Sequence, residues 1–313
     1  MILIFSEAND STTSLVCKWL SYYNSVFVRV NIDDSYSVNI TESNVIIFND
    51  VVEIDLDNVT SYWYRRGGLM LNSYKKNYKD SYIYQNIADV RSHIDNEHKL
   101  TAEYIYYVLS SKKITSIGNF FAGNLNRLIT SLKAKKCGLN IPQFTISTTS
   151  NIDLPYEKNI TKSISEVLSG RHQEFMFRIL AQYVNLQDVK PSTLTYILEY
   201  IDKEFEIRIF FLKGNFYSMV IYSQLDPQTK VDFRNYNKNK PNRTFPFKLP
   251  KDIEVKLSKL MSELNLDTGS IDLLYKNGKF YFLEINPVGQ FGMVSVPCNY
   301  QIERKIAEYL INE

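Results

Sequence analysis

Short apolar runs mark out the first third of the chain. Met1–Ser6 reads as a buried strand, and Asp10 and Ser11 behind it offer helix caps. Leu15, Val16, Trp19 and Leu20 then recur at helical spacing. Val26–Val30 and Val45–Phe48 are β-branched runs, and Ser61–Arg66 is an aromatic one. This strand–helix–strand order predicts a small α/β domain with a largely parallel sheet. A helical stretch over Glu97–Leu109 follows, and the domain is expected to close near residue 115.

The pattern then changes. Leu125, Leu128, Ile129 and Leu132 form the stripe of an amphipathic helix, which Gly138 would end and Pro142 would keep from resuming. Phe144–Ile146 and Asn159–Ile164 read as strands, Glu166–Asn185 as more helical, and Thr195–Tyr200 as strand again. Glu206–Leu212 and Phe216–Tyr222 flank Lys213-Gly214-Asn215, a hairpin signal. Asp232–Arg243, rich in Asn and Lys, is expected as an exposed loop. Ile253, Leu257, Leu260, Met261 and Leu264 make another helical stripe, Ile271–Tyr275 and Lys279–Ile285 flank Asn277-Gly278, and Ile302, Ile306 and Leu310 close the chain as a helix.

Composition narrows the chemistry. The chain has 313 residues, 44% of them apolar, and a net charge of only +2, so no global field marks a nucleic-acid binder. Cys17, Cys137 and Cys298 stand far apart and read as reduced thiols of a cytoplasmic protein. No apolar run is long enough to span a membrane, and the opening residues lack a basic segment and meet Glu7 and Asp10 at once, unlike a signal peptide. Tyr (23) and Phe (18) are abundant while Gly numbers 11, and neither GxxxxGK[ST] nor GxGxxG occurs. Any nucleotide chemistry must therefore use side chains.

The last hairpin carries the strongest signal. Asp272, Glu284 and Asn286 place three oxygen donors within strongly apolar strands, where an uncompensated carboxylate costs several kcal/mol. Mg²⁺ bridging phosphates is such a compensation, since it takes carboxylate and amide oxygens together with substrate phosphates. A two-residue Asn277-Gly278 turn would put Asp272 and Glu284 on opposite faces. A three-residue loop with Gly278 in the left-handed region would put Asp272, Glu284 and Asn286 on one face, and that register is the one expected. The plain alternative is a strand pair with polar residues at its frayed end.

Upstream, Lys162 lies inside the apolar-flanked Ile160-Thr161-Lys162-Ser163-Ile164, Glu199-Tyr200-Ile201 ends a strand, and Glu206-Ile207-Arg208 and Asp232-Phe233-Arg234 follow. Taken in order over roughly residues 116–296, this set resembles the ATP-grasp carboxylate ligases, in the branch of the ribosomal-protein glutamate ligase and the graspetide synthetases. Met1–Ser6, Tyr62–Gly67 and Asn286–Phe291 look like the graspetide synthetases, most narrowly the grasp-with-spasm peptide maturases of the chryseoviridin type.

The resemblance implies an α/β (α+β) ATP-grasp fold: a pre-ATP-grasp domain over 1–115, a central subdomain over 116–195 and a C-terminal one over 196–313. It implies ATP and Mg²⁺ as cofactors. Arg127, Lys162, Glu199, Tyr200, Ile201, Glu206 and Arg234 would then contact the nucleotide, with Glu206 beside the ribose or magnesium. Asp272, Glu284 and Asn286 would hold the metal, twelve residues separating Asp272 from Glu284 as in the family. Lys162, Arg208 and Arg234 would serve catalysis, and Arg65, Arg66 and Arg208 would meet the substrate. Two departures stand out: Ser163–Gly170 supplies a single glycine where the family has a Gly-rich loop, and Arg127 replaces a lysine.

The implied activity is ATP-dependent macrocyclisation of a ribosomal precursor peptide with a leader and an acidic core. Asp or Glu carboxylates would be joined through an acyl phosphate to Ser/Thr hydroxyls or Lys amines. The implied partners are that peptide and a second copy in a homodimer, with no nucleic acid and no membrane. The Arg171–Asp188 region, with Phe175, Met176 and Phe177, is the candidate leader contact. Three alternatives stay open: an ATP-grasp ligase adding amino acids to a protein or peptide terminus, a phosphotransferase, and a non-catalytic nucleotide-binding module.

Overall fold

The computed structural model describes residues 1–71, 86–148, 156–165, 169–172, 175–178, 180–185 and 194–311. The chain divides into two compact units, one of Met1–Phe120 with Gln301–Glu313 and one of Phe121–Tyr300.

The first unit runs β1 (Ile2–Ser6), α1 (Ser11–Tyr22), β2 (Phe27–Asn31), β3 (Ser37–Ile40), β4 (Val45–Phe48), β5 (Glu53–Asp55), β6 (Ser61–Tyr64), α2 (Ala88–Ser111) and β7 (Thr115–Ile117). Strands β2-β1-β6-β7 form a parallel sheet, as the sequence pattern leads one to expect. Every residue of β1 is buried, and Leu3 and Phe5 on one face pack beneath the long helix α2. Asp10 caps α1, its carboxylate accepting from the Thr12 and Thr13 amides. Leu3, Phe5, Ile47 and Ile54 pack with Ile105, Tyr106 and Leu109 of α2 in one core.

The second unit runs α3 (Arg127–Lys136), β8 (Phe144–Ser147), β9 (Asn159–Thr161), β10 (Ser169–His172), β11 (Phe175–Arg178), β12 (Gln182–Tyr183), β13 (Thr195–Glu199), β14 (Phe205–Leu212), β15 (Asn215–Tyr222), β16 (Arg243–Phe247), α4 (Lys251–Glu263), β17 (Thr268–Lys276), β18 (Lys279–Asn286) and α5 (Gly292–Cys298). Its antiparallel five-stranded sheet has the order β16-β15-β14-β17-β18, and a four-stranded one the order β12-β9-β13-β8. Ile207, Ile209, Ile271, Leu273, Phe282 and Ile285 of the larger sheet pack against Leu257, Leu260 and Met261 of α4. The final helix, α6 (Ile302–Ile311), returns to the first unit. There Tyr23 donates to Glu308 at 2.9 Å, and the buried Ser61 hydroxyl donates to the Leu310 carbonyl at 2.8 Å.

The structure corrects three local expectations. Within Glu166–Asn185 the described elements are strands, β10 pairing antiparallel with β11; Phe175 and Phe177 are aromatic residues of the kind that favours extended backbone. The leader groove expected there concerns side chains outside those described. Helix α3 buries Thr130, Ser131 and Ala134, and leaves Ile129 and Leu132 more than half exposed. Its cap explains this: Asn126 accepts from the Leu128 and Ile129 amides, so Leu125 lies outside the helix, and the small residues form the face that packs. Gly138, at φ +85°, does end the helix as expected.

The third correction is the hairpin. Lys276 pairs with Lys279 across a two-residue turn, with Asn277 and Gly278 at φ 48° and 75°, not the three-residue loop. Asp272 nevertheless faces Glu284, and Ser270 faces Asn286, because a β-bulge shifts the register between Asp272 and Leu273. Leu283 is the extra residue. It lets Phe282 pair with Leu273 in the core while Glu284 turns to the opposite face.

Candidate functional site

Strand β18 brings Glu284 among cations from three other segments of the second unit. Arg127 Nη2, at the start of α3, donates to Glu284 Oε2 at 2.7 Å, and Lys162 Nζ, just past β9, approaches the same oxygen at 3.5 Å. Arg234 Nη1 lies 3.6 Å from Oε1. Burial alone would raise the Glu284 carboxyl, but Lys162, Arg127, Arg234 and Arg208 outweigh it and hold it down at about 2. Lys162 is pushed down by burial; Glu284 pulls against this, while Arg127 and Arg234 add to it.

Asp272 sits opposite Arg208 on β14, and Arg208 Nη1 donates to Asp272 Oδ2 at 2.5 Å. Burial raises the Asp272 carboxyl, Arg208 opposes this, and the facing Glu284 adds to the rise. Asp232 and Phe233, expected in an exposed loop, are each 6% exposed. Asp232 takes Arg234 in a two-pronged pair, Nε and Nη2 each donating at 2.8 Å.

Two cavities meet at these residues. One, of about 630 Å³ counting its mouth, is lined by Ile160, Leu198, Tyr200, Ile201 and Leu274 along with Lys162, Glu199 and Glu206. The other, of about 1980 Å³ counting its open mouth, is lined by Arg127, Arg208, Asn286 and Met293 among others. Phe233, Arg234 and Glu284 line both. The first joins an apolar slot to charged groups at one end. The second presents three arginines and a single described carboxylate.

No known protein family and no curated protein matches the sequence. Solved structures do match. An ATP-grasp ligase associated with ribosomally made peptides from Chryseobacterium gregarium, in complex with ADP and a leader and core peptide, superposes with a TM-score of 0.80 at 21% identity, over 99% of this chain and 96% of that one. The chain has the ATP-grasp fold. The macrocyclase MdnC of Microcystis aeruginosa, bound with its precursor peptide MdnA, matches at a TM-score of 0.76 and 24% identity, over 100% of this chain and 99% of its own. The D-alanine–D-alanine ligase of Bacillus anthracis matches at 0.54 and 14%, over 99% and 95%.

Within this ATP-grasp chain, Arg127, Lys162, Arg208, Arg234, Asp272 and Glu284 come together, and Asn286 faces Ser270 on the same side of the hairpin as Glu284. Glu199, Tyr200, Ile201 and Glu206 line the smaller cavity. Among the described residues no three His, Cys, Asp or Glu side chains cluster to hold a metal. The donor set is two carboxylates and an amide, which suits a hard divalent ion. The fit rests on the facing carboxylates, since Glu284 adds to the rise at Asp272 and a bound cation would relieve it.

Arg65 and Arg66 lie in the other unit, after β6. Arg65 is 3% exposed, with Nε donating to Asp10 Oδ2 at 3.1 Å and Nη2 to Thr12 Oγ1 at 3.1 Å. Burial lowers its pKa to about 10 against the pull of Asp10. A guanidinium so committed clamps the end of the strand to the cap of α1. Arg66 is more open and ion-paired with Glu7 at 3.4 Å and Asp10 at 3.2 Å.

Sequence reading misses Lys203 and Ser223. Lys203 Nζ lies 3.2 Å from Glu206 Oε1, and the Ser223 hydroxyl donates to the same oxygen at 3.0 Å. Burial raises Glu206 to about 7 although Lys203 and Ser223 oppose it. The spacing of Lys203 three residues before Glu206 is the signal available, and Asp202 and Glu204 disguise it as a solvated charge run.

Proposed function

We propose that this chain is an ATP-dependent peptide macrocyclase, joining Asp or Glu side-chain carboxylates to Ser/Thr hydroxyls or Lys amines of a ribosomally made precursor peptide. The observation that carries the reading is the pair of cavities meeting at Arg234 and Glu284. An apolar slot with a charged end suits a nucleotide, and an arginine-lined cavity beside it suits an acidic peptide. The ADP, leader and core peptide named for the Chryseobacterium ligase, and the precursor peptide named for MdnC, support both assignments.

On this reading Leu198, Tyr200 and Ile201 flank the base, Glu199 and Glu206 take its polar groups and the ribose, and Arg127 and Lys162 neutralise phosphate charge. Asp272, Glu284 and Asn286 would hold Mg²⁺, which would supply charge neutralisation for phosphate. ATP supplies the phosphoryl group that turns a carboxylate into an acylating agent. Arg234, held by Asp232, offers a fixed fork to the transferring group; Arg208 orients the peptide carboxylate, and Arg65 and Arg66 offer further positive charge to an acidic peptide. A division of Phe121–Tyr300 near residue 195, the homodimer and a cytoplasmic location belong to the same proposal. No described helix is long and apolar enough to cross a membrane.

The test is incubation with a short Thr/Ser- and Asp/Glu-rich peptide encoded beside this chain, with ATP and Mg²⁺, read by high-resolution mass spectrometry. The expected product is lighter by one water per ring. Amino-acid extension would instead favour a terminus-modifying ligase, and gain of phosphate a phosphotransferase.

A further inference from the structure

Lys203 is the buried cation of the smaller cavity that the reading above leaves without work. Its side chain is 2% exposed, and its three ammonium donors have three partners. Nζ donates to the Lys230 carbonyl at 2.8 Å and the Val231 carbonyl at 3.2 Å, and lies 3.2 Å from Glu206 Oε1. The two carbonyls immediately precede Asp232, whose carboxylate fixes Arg234. Gln224 also donates to the Lys230 carbonyl, at 3.3 Å, and Thr229 to the Ser223 carbonyl, at 3.0 Å, so this loop is tied down on the nucleotide side. Glu206 spends Oε1 on Lys203 and Ser223 while lining the cavity.

We propose that Lys203 is a positioning residue that joins the nucleotide-side carboxylate Glu206 to the loop carrying Asp232 and Arg234, so that one ammonium sets both the charge at Glu206 and the placement of Arg234. The proposal rests on the assignment of the smaller cavity to the nucleotide. A buried ammonium is retained only where its partners compensate desolvation, and here they lie on two segments with different tasks. Its charge serves Glu206, and its compact tetrahedral geometry serves the two carbonyls.

Two variants of the full chain separate these services, with ADP plus Mg²⁺ as the binding probe and basal ADP release as the turnover readout. Lys203→Met removes both, and ADP affinity and turnover should each fall about tenfold or more. Lys203→Arg keeps the charge beside Glu206 but replaces a point donor with a planar fork that cannot sit between the two carbonyls. It should keep ADP affinity within about threefold while losing about tenfold in turnover. That split is the signature of positioning. Parallel losses in the Arg variant, or a lowered melting temperature with wild-type affinity and turnover in both, overturn the proposal. If Lys203→Met does not fold, the split in Lys203→Arg decides alone. A wild-type chain that binds no ADP overturns the nucleotide assignment and this inference together, whereas wild-type binding with no split overturns this inference only.

Discussion

At the scale of single residues, the site is a contest between burial and neighbouring charge. Glu284 stays ionised because four cations outweigh its desolvation, so Glu284→Gln removes a charge on which they all converge. ADP release with Mg²⁺ should fall roughly 10²–10³-fold, as for one lost transition-state contact, which a coupled ADP assay measures. Wild-type turnover in that variant would refute the metal assignment. Glu206 behaves in the opposite sense. Its folded carboxyl keeps its proton up to about 7, against an ordinary value of 4.5, so between these pH values the native state binds more protons than the unfolded one. Stability therefore falls as pH rises through that window, by about 3 kcal/mol from this group, and Glu206→Gln should flatten the slope in denaturant titrations at pH 5 and pH 8. Asp272 and Glu284 were legible in the sequence because each is a charge between apolar strand neighbours, whereas Arg234, between Phe233 and Asn235 in a polar stretch, stands out only through the order of the motifs. Lys203, between Asp202 and Glu204, was not legible.

At the scale of elements, the β18 hairpin separates what periodicity can reveal from what it cannot. The shared face of Asp272 and Glu284 was legible; the device that produces it was not, because a bulge obeys neither a two-residue period nor a turn rule. Phe282 and Glu284 are two apart and belong on one face of a regular strand, yet one enters the core and the other the site. Since the bulge sets this placement, the turn beyond it is free to weaken. Gly278→Ala should cost about 1 kcal/mol for its positive φ and leave ADP release intact, as unfolding and turnover measurements on one preparation can check. Helix α3 teaches the converse: four apolar residues at helical spacing drew attention to the wrong face, because small Thr130, Ser131 and Ala134 permit closer approach. In the first unit, Arg65 joins the end of β6 to the cap of α1 through Asp10. Arg65→Ala takes one of two described cations from the buried Asp10 carboxylate, leaving Arg66, and should destabilise that unit by about 3 kcal/mol in denaturant unfolding.

At the scale of the whole molecule, the ATP-grasp fold was legible from the order of its motifs, while the path of the chain was not. Nothing in Ile302, Ile306 and Leu310 says which unit they complete; their stripe fits any apolar surface. In the structure they are fully or almost fully buried on the first unit, so removing Gln301–Glu313 should cost that unit about 5 kcal/mol. Thermal unfolding followed by amide exchange should then show protection lost in β1 and α1 and kept in β14 and β17. The same helix bears on the order of events during translation. Phe121–Tyr300 is one continuous stretch and can fold as soon as it leaves the ribosome, whereas the unit that begins at Met1 waits for residues synthesised after all of these. The Tyr23 hydroxyl waits for its Glu308 acceptor through that whole interval, and a unit begun before Phe121–Tyr300 is completed only after it.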